Sequence, residues 1–263
     1  ISDLLSECLR KEISIYNELS SYEIYKNQEL KSLLPIFNRQ EQISKIPKDD
    51  ELLLEIYKSK EYKTLFAYTL EGKFVNEGIA FLWALRFAEI NNGTFSIAAN
   101  DFGFSLTTNI DYDFSIITTR FSYFLNTKEL EKDLENAINF SELTKKKFKN
   151  IAQISGLVNN NNPLKVKTAN QLQISSNLLF DVFKKYENDH LLISQAQKEV
   201  NKEQLESGRI IKCLKRISSL KIILNITKEP TPLAFSLLVE RLKNTLSNES
   251  IEKRVERLIR SYD

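Results

Sequence analysis

The distribution of apolar residues between positions 64 and 108 predicts the core of this chain. Residues 74–90 are almost all apolar, a run too long for an ordinary strand and typical of a helix that is buried on every side. Asn91-Asn92-Gly93 predicts the C-terminal end of this helix. Shorter apolar runs at residues 65–70, 94–98 and 102–107 are typical of strands. The pattern predicts a buried helix packed on an antiparallel sheet.

The residues before this core show two helical patterns and one hairpin. Apolar residues recur at helical spacing over residues 3–18 and 28–42. Pro35 predicts a kink or a late start for the second of these helices. Residues 52–57 and 62–70 then predict two strands joined by a tight turn.

The second half of the chain has a different pattern. Residues 113–124 fit neither helix nor strand clearly, and helical spacing dominates from about residue 126 to about residue 217. Residues 220–227 alternate between apolar and polar positions and predict a strand. Two further helices are predicted over residues 233–246 and 250–262.

These elements predict an α+β fold. It consists of an antiparallel sheet of about five to six strands packed on a buried central helix, followed by a mainly helical second half. We expect residues 1–46 to form a helical lead-in and residues 47–263 the α+β domain, with its helical section at about 126–217. No linker divides the chain clearly, so we expect one compact unit. The chain contains no methionine, and the missing initiator predicts a fragment of a longer protein.

Composition excludes several classes of function. None of the 6 glycines is spaced as a phosphate-binding loop, so a nucleotide-driven motor cannot be built from this segment. His190 is the single histidine, which excludes histidine-based metal cages. Cys8 and Cys213 form no metal or redox motif. With no apolar run long enough for a membrane span and no signal peptide, we expect a cytoplasmic protein without metal or membrane contact.

Charge is unevenly distributed along the chain. Residues 1–140 hold 15 Lys and Arg against 22 Asp and Glu, while residues 141–263 hold 22 against 13. The basic half contains three clusters that are candidates for binding nucleic-acid phosphates. They are Lys145, Lys146, Lys147 and Lys149; Lys165 and Lys167; and Arg209, Lys212, Lys215 and Arg216. An ordinary solvated surface is the alternative for each cluster, and no sequence motif of a nucleic-acid-binding fold independently supports nucleic-acid binding.

Several stretches, taken together, resemble one protein family. They include Glu71-Gly72-Lys73-Phe74-Val75, Asn100-Asp101-Phe102-Gly103-Phe104 and Pro230-Thr231-Pro232, with further matching segments at residues 42–55, 148–158, 171–186 and 191–206. In this order, from about residue 40 to the end, they are similar to the C-terminal DEAD/H-associated region of the Lhr (large helicase-related) family. The greatest resemblance is to the bacterial ligase-associated DEXH-box DNA repair helicases.

The resemblance implies a longer parent protein with two RecA-like motor domains and a winged helix before this region. Such a parent is an ATP-dependent 3′-to-5′ DNA helicase that binds ATP and Mg²⁺ in its motor domains. This chain would carry no cofactor and no catalytic residue. It would be an accessory domain that helps to enclose or guide single-stranded DNA. The implied partners are single-stranded or tailed duplex DNA, the upstream RecA-like and winged-helix domains, a DNA ligase and a nuclease.

Two alternatives stay open. The chain can be a protein-docking module that packs on the helicase motors or recruits the ligase and nuclease without contacting DNA; apolar positions in the two terminal helices fit that role. A free-standing hydrolase is the third hypothesis, and the single histidine and the absence of metal and nucleophile motifs disfavour it.

Overall fold

A computed structural model gives the fold. It describes residues 3–16, 28–137, 140–158, 169–187, 190–200, 207–244 and 251–260. The helices are α1 (Asp3–Tyr16), α2 (Gln28–Ile43), α3 (Lys73–Ile90), α4 (Ile116–Thr119), α5 (Phe121–Phe124), α6 (Leu130–Ala137), α7 (Phe140–Ile154), α8 (Ala169–Tyr186), α9 (Leu191–Glu199), α10 (Ser207–Ile217), α11 (Pro232–Asn244) and α12 (Ile251–Arg260). The strands are β1 (Glu51–Lys58), β2 (Lys63–Ala67), β3 (Ser96–Ala99), β4 (Phe104–Thr108) and β5 (Lys221–Thr227).

The five strands form one mixed sheet in the order β3-β4-β2-β1-β5. The predicted α+β class and the β1–β2 hairpin are confirmed. The prediction of a purely antiparallel sheet is wrong, because β5 lies parallel to β1 with Leu53 opposite Ile223. Alternation of apolar residues shows which faces of a strand are buried, but it carries no information on strand direction.

The central helix α3 agrees with its predicted bounds. Val75, Ile79, Leu82, Trp83 and Phe87 are buried along it. The Trp83 ring meets the Phe104 ring of β4 edge-on, with 5.2 Å between ring centroids. Since Phe104 pairs with Ala67, which pairs with Leu54, these three residues share the face of the sheet that α3 covers. This packing forms the larger part of the core.

The opposite face of the sheet is covered by α11. Leu53 of β1 and Phe66 of β2 pack there against Leu237 and Leu238, and all four side chains are buried. The sheet therefore lies between two helices that are far apart in sequence.

Two predictions differ from the structure, and the structure assigns one segment that the sequence left ambiguous. The second strand ends at Ala67 rather than at residue 70, because Leu70 and Gly72 adopt positive φ angles of 58° and 91°, which a strand cannot contain. The ambiguous residues 113–124 contain the short helices α4 and α5. Helix α2 begins at Gln28, well before Pro35, so the predicted late start is wrong.

A buried carboxylate, Glu55, joins four elements. It accepts hydrogen bonds from the Tyr68 hydroxyl (2.6 Å), the Thr231 hydroxyl (2.6 Å) and the Gln40 amide (2.8 Å). The Gln40 amide oxygen in turn accepts from the Leu233 backbone N–H at the start of α11. Burial raises the pKa of Tyr68 well above its usual value, so this hydroxyl stays a donor. Three donors compensate the cost of burying the Glu55 charge.

The chain divides into two compact units. The sheet unit comprises residues 1–130 and 208–263, and the helical unit comprises residues 131–207. The helical unit has its own apolar core, in which Phe148, Phe180 and Ile193 are buried. The predicted boundary at residue 46 stays a prediction.

The charge asymmetry along the sequence does not separate the two units. Residues 208–263 carry 12 Lys and Arg against 6 Asp and Glu, and they fold together with the acidic residues 1–130. The helical unit carries 11 basic and 10 acidic residues. Both units are therefore close to neutral, and the basic half of the sequence is not a basic half of the fold.

No helix in the described ranges is both long enough and apolar enough to cross a membrane.

Candidate nucleic-acid interface

The first candidate cluster lies on α7 in the helical unit. The Lys145 ammonium group pairs with Asp181 of α8, at 2.9 and 3.1 Å from its two carboxylate oxygens. Lys147 and Lys149 are half-buried. The side chain of Lys146 lies outside the described residues, as do Lys165 and Lys167 of the second cluster. At least one member of the first cluster is thus engaged with a carboxylate inside the protein.

The two arginines of the third cluster, on α10, turn inwards. Arg216 pairs with the Glu71 carboxylate at 3.0 Å and donates a second hydrogen bond to the Thr69 carbonyl oxygen at 2.9 Å. Arg209 donates to the Glu71 carbonyl oxygen at 2.8 Å. These contacts give both guanidinium groups a structural role, and their binding to phosphate stays a prediction.

Glu71 also binds a third arginine that the sequence patterns did not indicate. Arg10 of α1 pairs with the Glu71 carboxylate at 2.8 Å, and the two side chains are 15% and 10% exposed. Glu71 lies between Leu70 and Gly72, whose positive φ angles bend the chain away from β2. The arginine contacts fix this bend, which leads directly into α3.

The remaining members of the third cluster point outwards. Lys212 and Lys215 are exposed on α10, whereas Cys213 and Leu214 on the same helix are buried. Burial raises the pKa of the Cys213 thiol to about 12, so it is protonated at neutral pH and is a poor nucleophile. Of the four residues that the sequence grouped together, the fold therefore leaves the two lysines at the surface.

Two other polar positions have structural roles. The imidazole of His190 accepts a hydrogen bond from the Leu192 backbone N–H at the start of α9 and stacks on Phe183, with 4.0 Å between ring centroids. Asp101 accepts from the Lys73 backbone N–H (3.0 Å) at the start of α3. Within the described residues, no three His, Cys, Asp or Glu side chains are grouped as metal ligands would be.

A further group of basic and aromatic residues, also not predicted from the sequence, surrounds the β1–β2 turn. Tyr62 lies under the guanidinium of Arg241, whose central carbon is 4.0 Å from the ring centroid. Lys58 and Lys63 both pair with Asp111, at 2.9 and 3.3 Å. The sequence signal was present, because residues 57–63 bring tyrosines and lysines together at close spacing.

Comparison with known proteins assigns the chain to a class. The sequence model of the family described as "DEAD/H associated" matches residues 46–234. This is more than half of the chain, which therefore belongs to the DEAD/H-associated family.

The relatives are Lhr helicases. The chain is 25% identical over 209 residues to the ATP-dependent helicase Lhr-Core protein 2 of Thermococcus barophilus, covering 79% of this chain and 24% of that protein. It is 22% identical over 256 residues to the ATP-dependent helicase Lhr-Core of Methanocaldococcus jannaschii, covering 96% of this chain and 30% of the relative. The predicted resemblance to the Lhr family is confirmed, while the ligase-associated subtype stays a prediction. The chain spans only about a quarter to a third of the length of these relatives.

A solved structure has the same fold. The Mycobacterium smegmatis helicase Lhr, determined bound to ssDNA and AMP-PNP, superposes with a TM-score of 0.71 at 18% identity. The match covers 88% of this chain and 30% of the Lhr chain. At this identity the comparison establishes the fold alone.

Proposed function

We propose that this chain is a non-motor accessory domain of an ATP-dependent 3′-to-5′ DNA helicase involved in DNA repair, and that it helps to guide single-stranded DNA. The observation that supports this most directly is the structural match to an Lhr helicase that was determined with ssDNA. The family assignment over residues 46–234 supports it as well. In this proposal, ATP and Mg²⁺ bind to motor domains outside this chain. The protein acts in the cytoplasm, and a DNA ligase and a nuclease are further partners.

Binding of single-stranded DNA to the 263-residue chain tests this proposal. A fluorescent thymine oligonucleotide of about 20 nucleotides is titrated with the chain, and its anisotropy is measured between about 50 and 200 mM salt. We expect binding that weakens linearly with salt on logarithmic axes, because phosphate binding releases counterions. A chain that leaves the anisotropy unchanged at the lowest salt contradicts a direct role in guiding DNA.

The predicted lysines are tested in the same titration. Lys212→Glu with Lys215→Glu reverses two exposed charges on α10. If these lysines bind phosphates, the salt slope falls by about one for each lysine–phosphate pair that the substitution removes. Lys145→Ala tests the first cluster in the same way. Unchanged slopes in both variants would remove these residues from the interface without removing the proposed function.

A second candidate function is docking to other domains of a longer Lhr protein, and one feature of the helical unit favours it. Ile174, Leu178, Val182 and Tyr186 recur every four residues along α8 and are 67%, 66%, 42% and 72% exposed. Such spacing puts them on one side of the helix. An exposed apolar stripe of this kind is typical of an interaction surface. The occupant we propose is an upstream domain of the parent protein, since the chain corresponds to 24–30% of its relatives.

Thiol labelling distinguishes docking from a solvated stripe. Leu178→Cys is made in a Cys8→Ser background, because Cys8 is exposed and Cys213 is buried. Its alkylation rate is compared between the 263-residue chain and the complete encoded protein, with Lys128→Cys as an exposed control. We expect at least about tenfold slower labelling of Leu178→Cys in the complete protein. Equal rates would exclude this docking surface.

A further inference from the structure

The turn between β1 and β2 is held rigidly by its own hydrogen bonds. The Ser59 N–H donates to the Tyr62 carbonyl oxygen at 2.9 Å, which closes the turn. The Ser59 hydroxyl oxygen accepts from the N–H groups of Glu61 and Tyr62 at 3.2 and 3.0 Å. Side chains on this turn are thus presented from a fixed backbone, and less conformational entropy is lost when they bind a ligand.

The turn and the strand ends beside it carry the aromatic residues Tyr57 and Tyr62 and the basic residues Lys58, Lys60 and Lys63, and Arg241 of α11 lies against Tyr62. Tyr62 is half-buried between Arg241, at 4.0 Å from its ring centroid, and the ring of Tyr57, at 6.2 Å and 70°. Lys60 is exposed at the tip. Glu61 is on the turn, and Asp111 pairs with Lys58 and Lys63. Lys58 and Lys63 face each other in the row next to Tyr57 and Thr64, so alternation places them on the opposite face of the sheet, and Lys60 at the tip and Arg241 are the cations on the turn and beside the Tyr62 ring.

An open groove borders the same end of the sheet. It has a volume of about 520 Å³ and is lined by Asn92, Gly93, Thr94, Ser96, Thr107, Thr108, Asn109 and Ile110. Strand pairing places Lys63 directly opposite Thr108, and Thr64 opposite Thr107. The groove therefore begins where the lysine-bearing turn ends.

The sheet register also shows which side chains share a face. Tyr57 pairs with Thr64, Thr64 pairs with Thr107, and Thr107 pairs with Ser96, so these four residues form one row across four strands. Tyr62 lies two residues before Thr64, and alternation places it on the same face. Tyr62 and the groove residues Thr107 and Ser96 are thus on one side of the sheet.

We propose that this turn and groove bind single-stranded DNA, with a base on the Tyr62–Arg241 pair, phosphates at the lysines, and sugar or base edges in the groove. An aromatic ring beside cations is the combination that single-stranded nucleic acids require, because stacking holds bases of any sequence and lysine neutralises the backbone. The amides of Asn92 and Asn109, which are exposed at the groove, offer both donors and acceptors. This inference rests on the proposed function and specifies the surface that would perform it.

Two substitutions with matched controls test the surface in the oligonucleotide titration. Lys60→Glu reverses a charge at the tip, and Lys128→Glu reverses an exposed charge elsewhere in the sheet unit. We expect Lys60→Glu to weaken binding about three- to tenfold and to lower the salt slope by about one, and Lys128→Glu to change affinity less than about twofold. Tyr62→Leu removes the ring and is expected to weaken binding at least about fivefold, whereas Tyr62→Phe keeps it and binds as the unmodified chain does.

The outcomes separate this inference from the function on which it rests. If the unmodified chain binds and Lys60→Glu and Tyr62→Leu bind equally well, the turn is not the interface and the proposed function stands. If Lys60→Glu and Lys128→Glu weaken binding equally, the turn is again not the interface, because the affinity then depends only on the net charge of the chain. If the unmodified chain does not bind at the lowest salt, both proposals are contradicted. Thermal unfolding of Tyr62→Leu confirms that weaker binding does not come from a loss of fold.

Discussion

The sheet unit and the helical unit rely on different kinds of contact. In the sheet unit, buried polar groups connect distant parts of the sequence: Glu71 pairs with Arg10 and Arg216, and Glu55 joins β1 to α2, β2 and the start of α11. In the helical unit the core cluster is apolar, and the ion pair of Lys145 with Asp181 is partly exposed. Paired buried charges thus join distant segments of the sheet unit in addition to its apolar core, whereas the contacts described for the core of the helical unit are apolar.

Glu71→Ala is expected to have the largest effect on stability. It leaves Arg10 and Arg216 largely buried with no carboxylate, so we expect a loss of up to about 5 kcal/mol in the free energy of unfolding. Urea denaturation followed by Trp83 fluorescence measures it in the sheet unit. Glu7→Ala, which removes an exposed ion pair with Lys11, is the control and should change stability by less than about 0.5 kcal/mol. Equal effects in the two variants would contradict the structural role of Glu71.

Phe180→Ala removes a buried aromatic ring from the apolar core of the helical unit. Phe180 is 2% exposed and meets Phe148 edge-on, so the cavity should cost about 3 kcal/mol. Leu178→Ala on the same helix, with a side chain 66% exposed, should cost less than about 0.5 kcal/mol. Hydrogen exchange of the helical unit reports both changes. Similar exchange in the two variants would show that the apolar core does not hold this unit.

Glu55→Gln tests the contribution of buried charge to the sheet unit, because glutamine has nearly the same shape as glutamate but carries no charge. One carboxylate oxygen becomes an NH₂ group, which cannot accept a hydrogen bond. Either Tyr68 and Thr231, which both donate to Oε2, or Gln40, which donates to Oε1, then lose their acceptor. We expect a loss of about 1–3 kcal/mol, measured by urea denaturation. Gln42→Glu, at an exposed position of α2, is the control for a charge change. No loss in Glu55→Gln would mean that the network contributes geometry but little stability.

Cys213 gives the sheet unit a predicted dependence on alkaline pH. Burial raises the pKa of its thiol to about 12 from the 9.0 of an unperturbed thiol, so the unfolded chain releases the proton first. Its contribution to stability is therefore complete below pH 9 and declines between pH 9 and about 12, by about 1.4 kcal/mol for each pH unit. Denaturation of the protein and of Cys213→Ala from pH 8 upwards should show the difference between them shrinking. A constant difference would contradict the raised pKa.

Lys145→Ala should have the smallest effect. Its partner Asp181 has a side chain that is 60% exposed, and a solvent-screened pair of this kind contributes less than about 1 kcal/mol. Thermal unfolding measures it, with Asp181→Asn as the reciprocal change. A loss as large as that of Glu71→Ala would remove the contrast between the two units.

Local patterns predicted the elements of the sheet unit well. The apolar run at residues 74–90 corresponds to α3, and the alternation at residues 220–227 corresponds to β5. These features could be predicted because each depends on the spacing of neighbouring residues.

The candidate site could be predicted only in part. Arg209 and Arg216 were grouped with Lys212 and Lys215 because they are close in sequence, yet the fold turns the arginines to Glu71 and leaves the lysines exposed. The Tyr62–Arg241 pair joins residues 179 positions apart, so no local pattern indicated it. Proximity along the chain is a poor guide to which cations share a surface.

The sequence by itself determined the α+β class, the buried central helix, the hairpin and the resemblance to the Lhr family, because periodicity and ordered motifs are local properties of the chain. Tertiary structure decided the parallel pairing of β5 with β1, the convergence of three arginines on residue 71, and the near-neutral charge of both units. These depend on contacts between residues about 60 to 170 positions apart, whose pairing is selected by burial and charge compensation in the folded state.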